Sequence, residues 1–353
     1  METLFPHLVR KSEFYTNASD ADFYLVPHDS TCFYHTCVFE HGGDPESCKR
    51  DTGDYLSDIL YQVINNYPNW NLSGGTDHVL VFSWDQASEV VGWDHSVRSV
   101  IQNAIHLTTL GSVKVNHNFN PHKDIVIPPF LNLSRAYRMF PDVKVTMSQI
   151  LLSYVQLLLP YQMSTGDRWP NNRRRIWGYF RKFLRLIKGG TILDDFRYSF
   201  GVRQALLRLK SSGTRHKLMI EQGHSALYLQ ELGDSIFSLC PSGWSTWSPR
   251  IYESIYAASI PVLFADGIKL PFETDISYRE FIVKINNDNV DQMEGILMSF
   301  GEEKLNQMRK NMLKIRHHLK WNNPPKNNDA LYMTMRQLER KISKHKPIGF
   351  DQF

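Results

Sequence analysis

No stretch of this chain has the length and purity of a membrane helix. The best candidate, ILLSYVQLLLPY at Ile150–Tyr161, carries Ser153 and Gln156 and is closed by Pro160, so it reads as a buried helix. The opening residues, METLFPHLVRKSEF, lack the charged head, apolar run and small-residue cleavage site of a secretory leader. Repeats of fixed period and low-complexity tracts are absent too, which removes solenoids and disordered linkers. Cysteine is scarce, at four in 353 residues, and no Cys-x-x-Cys or Cys/His spacing is there to build a structural zinc site. Charge is nearly balanced: 40 basic against 36 acidic residues leave a formal +4, too little by itself to imply a polyanionic partner.

What remains is the composition of a folded protein, 42% hydrophobic and 22% charged. The length exceeds what one core usually organises, so two domains are the default. Cys32, Cys37 and Cys48 fall in one short segment. That spacing fits a small disulfide loop in an oxidising compartment and free thiols in a reducing one equally well. Acceptor triplets for N-glycosylation stand at Asn17, Asn71 and Asn132, all in the first half.

Apolar runs alternate with helical patterns along the chain. DFYLVP (Asp22–Pro27), HVLVFS (His78–Ser83), SVKVNH (Ser112–His117) and DIVIPPF (Asp124–Phe130) read as strands, while YLSDILYQVINN and SVRSVIQNAIHLT carry apolar residues at helical spacing. A turn-rich break, STGDRWPNN, covers Ser164–Asn172. Beyond it the rhythm resumes, with RIWGYF, HKLMI, SIFSLC, IPVLF and FIVKI as strands and four helical patterns among them. Strands alternating with helices imply mostly parallel sheets. The division predicted is 1–165, 166–330, and a helix over 331–353 that packs back on the domains.

The densest punctuation is CPSGWSTWSPRIYESIYAASIPVLFAD, Cys240–Asp266. A buried strand stops at a Pro-Ser-Gly turn; Ser248 suits an N-cap and Pro249 the first helical position. Ile251, Ile255 and Ala258 then share one helix face, and Arg250, Glu253 and Ala257 another. In open α/β sheets such turns lie at the carboxyl ends of strands, where ligands bind. There Arg250 can add a forked contact to phosphate oxygens, and Glu253 can accept from ribose hydroxyls. The same pair also suits an ordinary solvated helix face. A nucleotide site is the reading this setting favours.

At this point the chain resembles the exostosin-type glycosyltransferase family. The run Phe237–Phe272, with Cys-Pro-x-Gly, Ser-Pro-Arg, the downstream Glu, IPVLFAD and LPF, looks like that family's C-terminal signature. SDADFYLVP, YPNWNLSGGTDHVLVFSWD, HKDIVIPPF, and RRRIWGYFRK followed by GVRQAL resemble other segments of the family in the same order. The resemblance covers about the first nine-tenths of the chain. It implies a GT-B-like α/β architecture, two Rossmann-like domains facing a cleft, the first on the acceptor side and the second holding the nucleotide sugar. It further implies inverting transfer from a UDP-sugar to a glycan or glycoprotein hydroxyl, with no cofactor and no required metal. Phosphate charge then falls to Arg203, Arg250 and the turn of Gly243 and Ser248. Two departures stand out: Lys182 where many members have Gly, and Trp84 where His often precedes Asp85.

Inversion needs a base to take the acceptor proton, and Asp85, just past HVLVFS, is the candidate, with His78 and His117 as runners-up. Asp85 is equally suited to capping the following turn. Two other readings compete. Arg168–Lys188, eight basic and no acidic residues among five aromatics, fits a single-stranded nucleic-acid or polyanion binder. Lys182 and Trp84 fit an inactive glycosyltransferase-like subunit working in a hetero- or homo-oligomer. The glycosyltransferase reading has no nucleic-acid partner. The family implies a Golgi location and a membrane anchor, and no anchor is seen in this chain.

Overall fold

The computed structural model describes residues 1–40, 44–83, 95–113, 119–131, 198–211, 228–243 and 245–345. Trp84, Asp85, His117, Asn132, the apolar run at Ile150–Tyr161, the break at Ser164–Asn172, the basic segment 168–188 with Lys182, and the strand candidates RIWGYF and HKLMI lie outside them. Among the described residues no helix is long and apolar enough to cross a membrane.

The described strands are β1 Tyr24–Leu25, β2 His78–Phe82, β3 Ile105–Thr108, β4 Gly111–Ser112, β5 Ile125–Val126, β6 Phe237–Pro241, β7 Ile260–Phe264, β8 Ile268–Lys269 and β9 Val283–Lys284. Two compact units contain them, and the units interleave along the chain. The first takes Met1–Phe130, Gly267–Ile276 and His317–Phe353; the second takes Leu131–Asp266 and Ser277–Arg316.

In the first unit β1, β2, β3 and β5 form one parallel sheet in that order, with β4 and β8 as an antiparallel pair. Successive side chains of a strand point to opposite faces, so a doubly covered strand needs apolar residues on both, as Val79–Phe82 supply. All of β2 is buried accordingly. Val79 and Val81 join a cluster with Phe5, Leu8, Trp321, Ala330, Leu331 and Leu338. Leu80 and Phe82 join another with Leu56, Leu60, Trp70, Val97 and Ile101. The N-terminal helix Leu4–Arg10 and the last helix Ala330–His345 thus supply one layer. Helices Pro45–Asn66, Pro68–Ser73 and His95–Ile101 supply the other. The first of these starts where Asp44 accepts from the amides of Glu46 and Ser47 at 3.1 and 3.0 Å, with Pro45 next.

One expectation is corrected here. SVRSVIQNAIHLT reads as a single helix, but the helix stops at Ile101 and Ile105–Thr108 is a central strand. A short apolar run between two neighbours gains full pairing on both edges, and periodicity alone does not separate it from a buried helix end. The cysteine alternatives resolve too: Cys37 and Cys48 form a disulfide, while Cys32 is free and exposed and Cys240 free and buried.

In the second unit β6, β7 and β9 make a parallel sheet. Helix Arg250–Tyr256 connects β6 to β7, as a parallel crossover requires. Helix Glu302–Ile315 and the turn after it are tied to this unit by arginines: Arg309 Nη2 donates to Ser235 O at 2.9 Å and Arg316 Nη1 to Tyr256 O at 3.3 Å.

Candidate functional site

Ligands of parallel sheets sit beyond the carboxyl ends of the strands. In the second unit the carboxyl end of β6 is where Arg203, Gly243, Arg250 and Glu253 meet. Helix Val202–Ser211 delivers Arg203 in its first turn. The approach to it is strained: Ser199, Phe200 and Gly201 take φ of 65°, 53° and 78°, and each non-glycine residue there costs about 1–2 kcal/mol. The strain is held by two bonds. Ser199 N donates to Gly243 O at 2.8 Å, and Ser199 Oγ accepts from Arg203 N at 3.1 Å.

Arg203 is 2% exposed, donates Nε to Ser242 O at 3.0 Å, and lies with its Cζ 5.1 Å from the Tyr198 ring centre. Burial draws its pKa down to about 10; the nearby Tyr198 opposes the drop and the Arg250 charge adds to it. Arg250 is equally buried. Its Nη1 donates to Leu239 O of β6 at 3.2 Å, while Nε and Nη2 are buried with no hydrogen-bond partner among the described residues. Two guanidinium groups that feel each other out of water are unfavourable unless negative charge joins them.

Glu253 supplies some. Tyr228 Oη donates to its Oε2. Burial raises the Glu253 pKa, while the Tyr228 bond and Arg250 pull it back. Among the described residues its Oε1 has no hydrogen-bond partner. The same burial, with Glu253 beside it, lifts the Tyr228 hydroxyl well above the ordinary tyrosine range. Gly243 closes the turn by donating to Ser245 O at 3.0 Å, and Ser242 Oγ donates to Phe264 O at 2.8 Å, fixing the turn to β7. Ser248 is buried, and its carbonyl accepts from Ile251 at 3.2 Å. Pro249 has helical angles, as a first helical position requires, the regular helix runs from Arg250, and no side-chain hydrogen bond caps its start among the described residues. The arrangement offers buried guanidinium donors and a carboxylate oxygen side by side, a set suited to an anion bearing hydroxyls.

In the first unit β2 ends at Phe82, and Ser83 follows at the carboxyl edge. Its N–H donates to Glu2 Oε1 at 3.3 Å. Glu2 is 6% exposed and also accepts from Thr31 N at 2.9 Å and from the Thr31 hydroxyl. Burial raises its pKa, and those hydrogen bonds oppose the rise. His28 and His106 are buried nearby, and burial brings their pKa values down to about 3 and about 4. His78, a runner-up base, stands at the opposite, amino end of β2. It bonds Asp77 at 2.7 Å and packs against Trp70 and Tyr24. That makes it a packing residue. Asp85 and His117 lie outside the described residues. Among the described residues no group of three His, Cys, Asp or Glu side chains is placed to hold a metal ion.

Glu2, His28, Tyr198 and Tyr228 escape a reading of the sequence. Each sits apart from any punctuated motif, and only the fold carries Tyr228 to Glu253 or Glu2 to Ser83.

The exostosin GT47 domain model matches residues 1–300. A "Probable glucuronoxylan glucuronosyltransferase" of Arabidopsis thaliana is 29% identical over 331 residues, 92% of this chain and 63% of its own length. A "Probable beta-1,4-xylosyltransferase" of the same plant is 26% identical over 341 residues, 94% and 73%. The chain therefore spans slightly under two thirds of the first of these relatives. Among solved structures, one titled as a UDP-N-acetylglucosamine 2-epimerase from Listeria monocytogenes aligns over 82% of this chain and 80% of its own at 10% identity. Its TM-score of 0.30 is too low to argue from.

Proposed function

This chain belongs to the exostosin GT47 family, and from that premise we propose that it is a glycosyltransferase, moving a sugar from a UDP-sugar to a hydroxyl of a glycan or glycoprotein with inversion and without a metal. The observation that carries the reading is the buried pair Arg203 and Arg250, with two nitrogens of Arg250 left without a partner among the described residues. A diphosphate supplies the missing acceptors and the missing negative charge. Charge developing on the departing UDP is met in the same place, where low dielectric makes the attraction strong. Glu253 Oε1, one helical turn from Arg250, takes a ribose hydroxyl, and Tyr228 orients the carboxylate by holding Oε2.

Sugar donors bearing glucuronic acid or xylose come first, since relatives carry those activities in their names. Polysaccharide is the matching acceptor. On the acceptor side the proton goes to Asp85, which follows the carboxyl end of β2 in sequence. A GT-B arrangement accords with two units each built on a parallel sheet. The Golgi lumen accords with the Cys37–Cys48 disulfide, since oxidising compartments keep such bonds.

The test is a panel of UDP-sugars read by UDP release, run with and without chelator. Turnover of one uronic or pentose donor, unchanged by chelator, is expected. Absence of UDP binding by calorimetry would sink the reading, and loss of turnover on chelation would sink the metal-free part.

A further inference from the structure

Donor and acceptor chemistry leaves the glycosylation triplets unused. Asn132 lies outside the described residues; Asn17 and Asn71 are both exposed. Asn71 has the more telling surroundings. It sits on the short helix Pro68–Ser73, and its Nδ2 donates to Ile64 O at 3.1 Å. An amide nitrogen carries two hydrogens, so this bond leaves one to be replaced.

Three large apolar side chains close to it in sequence are exposed. Leu72, the middle residue of the triplet, is 84% exposed, Tyr67 is 62% exposed, and Tyr61, one turn before Ile64, is 68% exposed. Single exposed apolar side chains are ordinary, but three of this size within residues 61–72, on and between two successive helices that the Asn71–Ile64 bond ties together, call for a cover. The same unit holds the Cys37–Cys48 disulfide, which persists in the oxidising compartments where N-glycans are attached.

We propose that Asn71 carries an N-linked glycan whose first sugar covers Tyr61, Tyr67 and Leu72. In the attachment, Asn71 Nδ2 bonds to the anomeric carbon of a lipid-diphosphate-linked oligosaccharide. The bond from that carbon to the diphosphate oxygen breaks, the lipid diphosphate leaves, and Nδ2 loses one proton. The remaining N–H keeps its bond to Ile64 O. A bulky, hydrated group then stands beside side chains that met water bare. This stands apart from the donor and acceptor proposed above and shares with them only a lumenal compartment.

Protein isolated from its own cells, digested with peptide N-glycosidase in heavy-oxygen water, tests the attachment, because the enzyme converts a glycan-bearing Asn to labelled Asp. Label on the peptide holding residue 71 is expected. Unlabelled Asn71 overturns the proposal, whatever the redox state of Cys37 and Cys48, and leaves the donor reading standing if UDP still binds. Cover is tested by sedimentation of Asn71→Gln against Asn71→Gln/Leu72→Ser, with enzymatically deglycosylated wild type guarding against a folding defect. Self-association should rise several-fold in the single variant and in the deglycosylated protein, and fall back in the double variant. Equal, monomeric behaviour of all of them overturns the cover.

Discussion

Replacing Arg250 by Met keeps an unbranched side chain of similar reach and removes the charge. Without ligand the wild type holds Arg250 Nε and Nη2 buried and without a partner among the described residues, at about 1–3 kcal/mol each. The Arg203 charge close by adds to that cost. Methionine abolishes both terms and gives up the attraction to Glu253 and the bond to Leu239 O, a charged hydrogen bond of about 1.5–3 kcal/mol. The unliganded protein should therefore melt at the same temperature as wild type or slightly higher. UDP binding moves the other way. Losing one partner of a buried, hydrogen-bonded charge pair costs about 2–5 kcal/mol. At about 1.4 kcal/mol per tenfold, that weakens Kd by between roughly 30-fold and a few thousand-fold. Arg250→Lys keeps the charge without the fork and should fall between the two. Calorimetric titration with UDP beside a melting curve reads both quantities. A variant that melts lower and binds UDP as wild type does would make Arg250 a strut under β6, and the diphosphate reasoning would fail.

Glu253→Gln should weaken UDP several-fold while leaving 2′,3′-dideoxy-UDP unaffected, because only the ribose hydroxyls lose their carboxylate acceptor; equal losses for both nucleotides would refute the ribose contact. His28 is buried neutral, with a pKa lowered to about 3 from 6.5. Below 6.5 the unfolded chain binds a proton that the folded one does not, so stability falls as pH drops from about 6.5 towards 3, by up to about 1.4 kcal/mol per pH unit. His28→Phe should make that slope shallower in denaturant titrations at pH 7, 6 and 5, leaving the part that the lowered pKa of His106 contributes. Gly111→Ala should cost several degrees of Tm, since a Cβ there would meet Val126 Cγ2 at 2.4 Å and the Lys269 carbonyl at 2.8 Å; Gly301→Ala, with open space around it, should not.

How much of this was readable beforehand depends on range. β2, β6 and β7 are five-residue apolar runs between turn formers, and they emerge where the pattern places them. β3 hides behind a helix because burial on both faces erases alternation. β8 is two residues long and exists only because β4 pairs with it. Around the site, Arg250 and Glu253 are legible through Ser-Pro-Arg and the helical spacing that follows. Tyr228 is not, since its link to Glu253 spans 25 residues. Nor does a sequence disclose that Arg250 turns into the protein, where an exposed face was equally open.

The interleaving of the two units sets an order of events during synthesis. The first unit begins the chain, yet one face of its sheet waits for Trp321, Ala330, Leu331 and Leu338. A ribosome must therefore translate the whole second unit before the cover that Phe5 and Leu8 begin over Val79 and Val81 can be completed. Until then that face is only partly closed to chaperones and to other nascent chains, and a message truncated before Ala330 would yield a product lacking Ala330, Leu331 and Leu338 from that layer. The part of the protein made first is the part finished last.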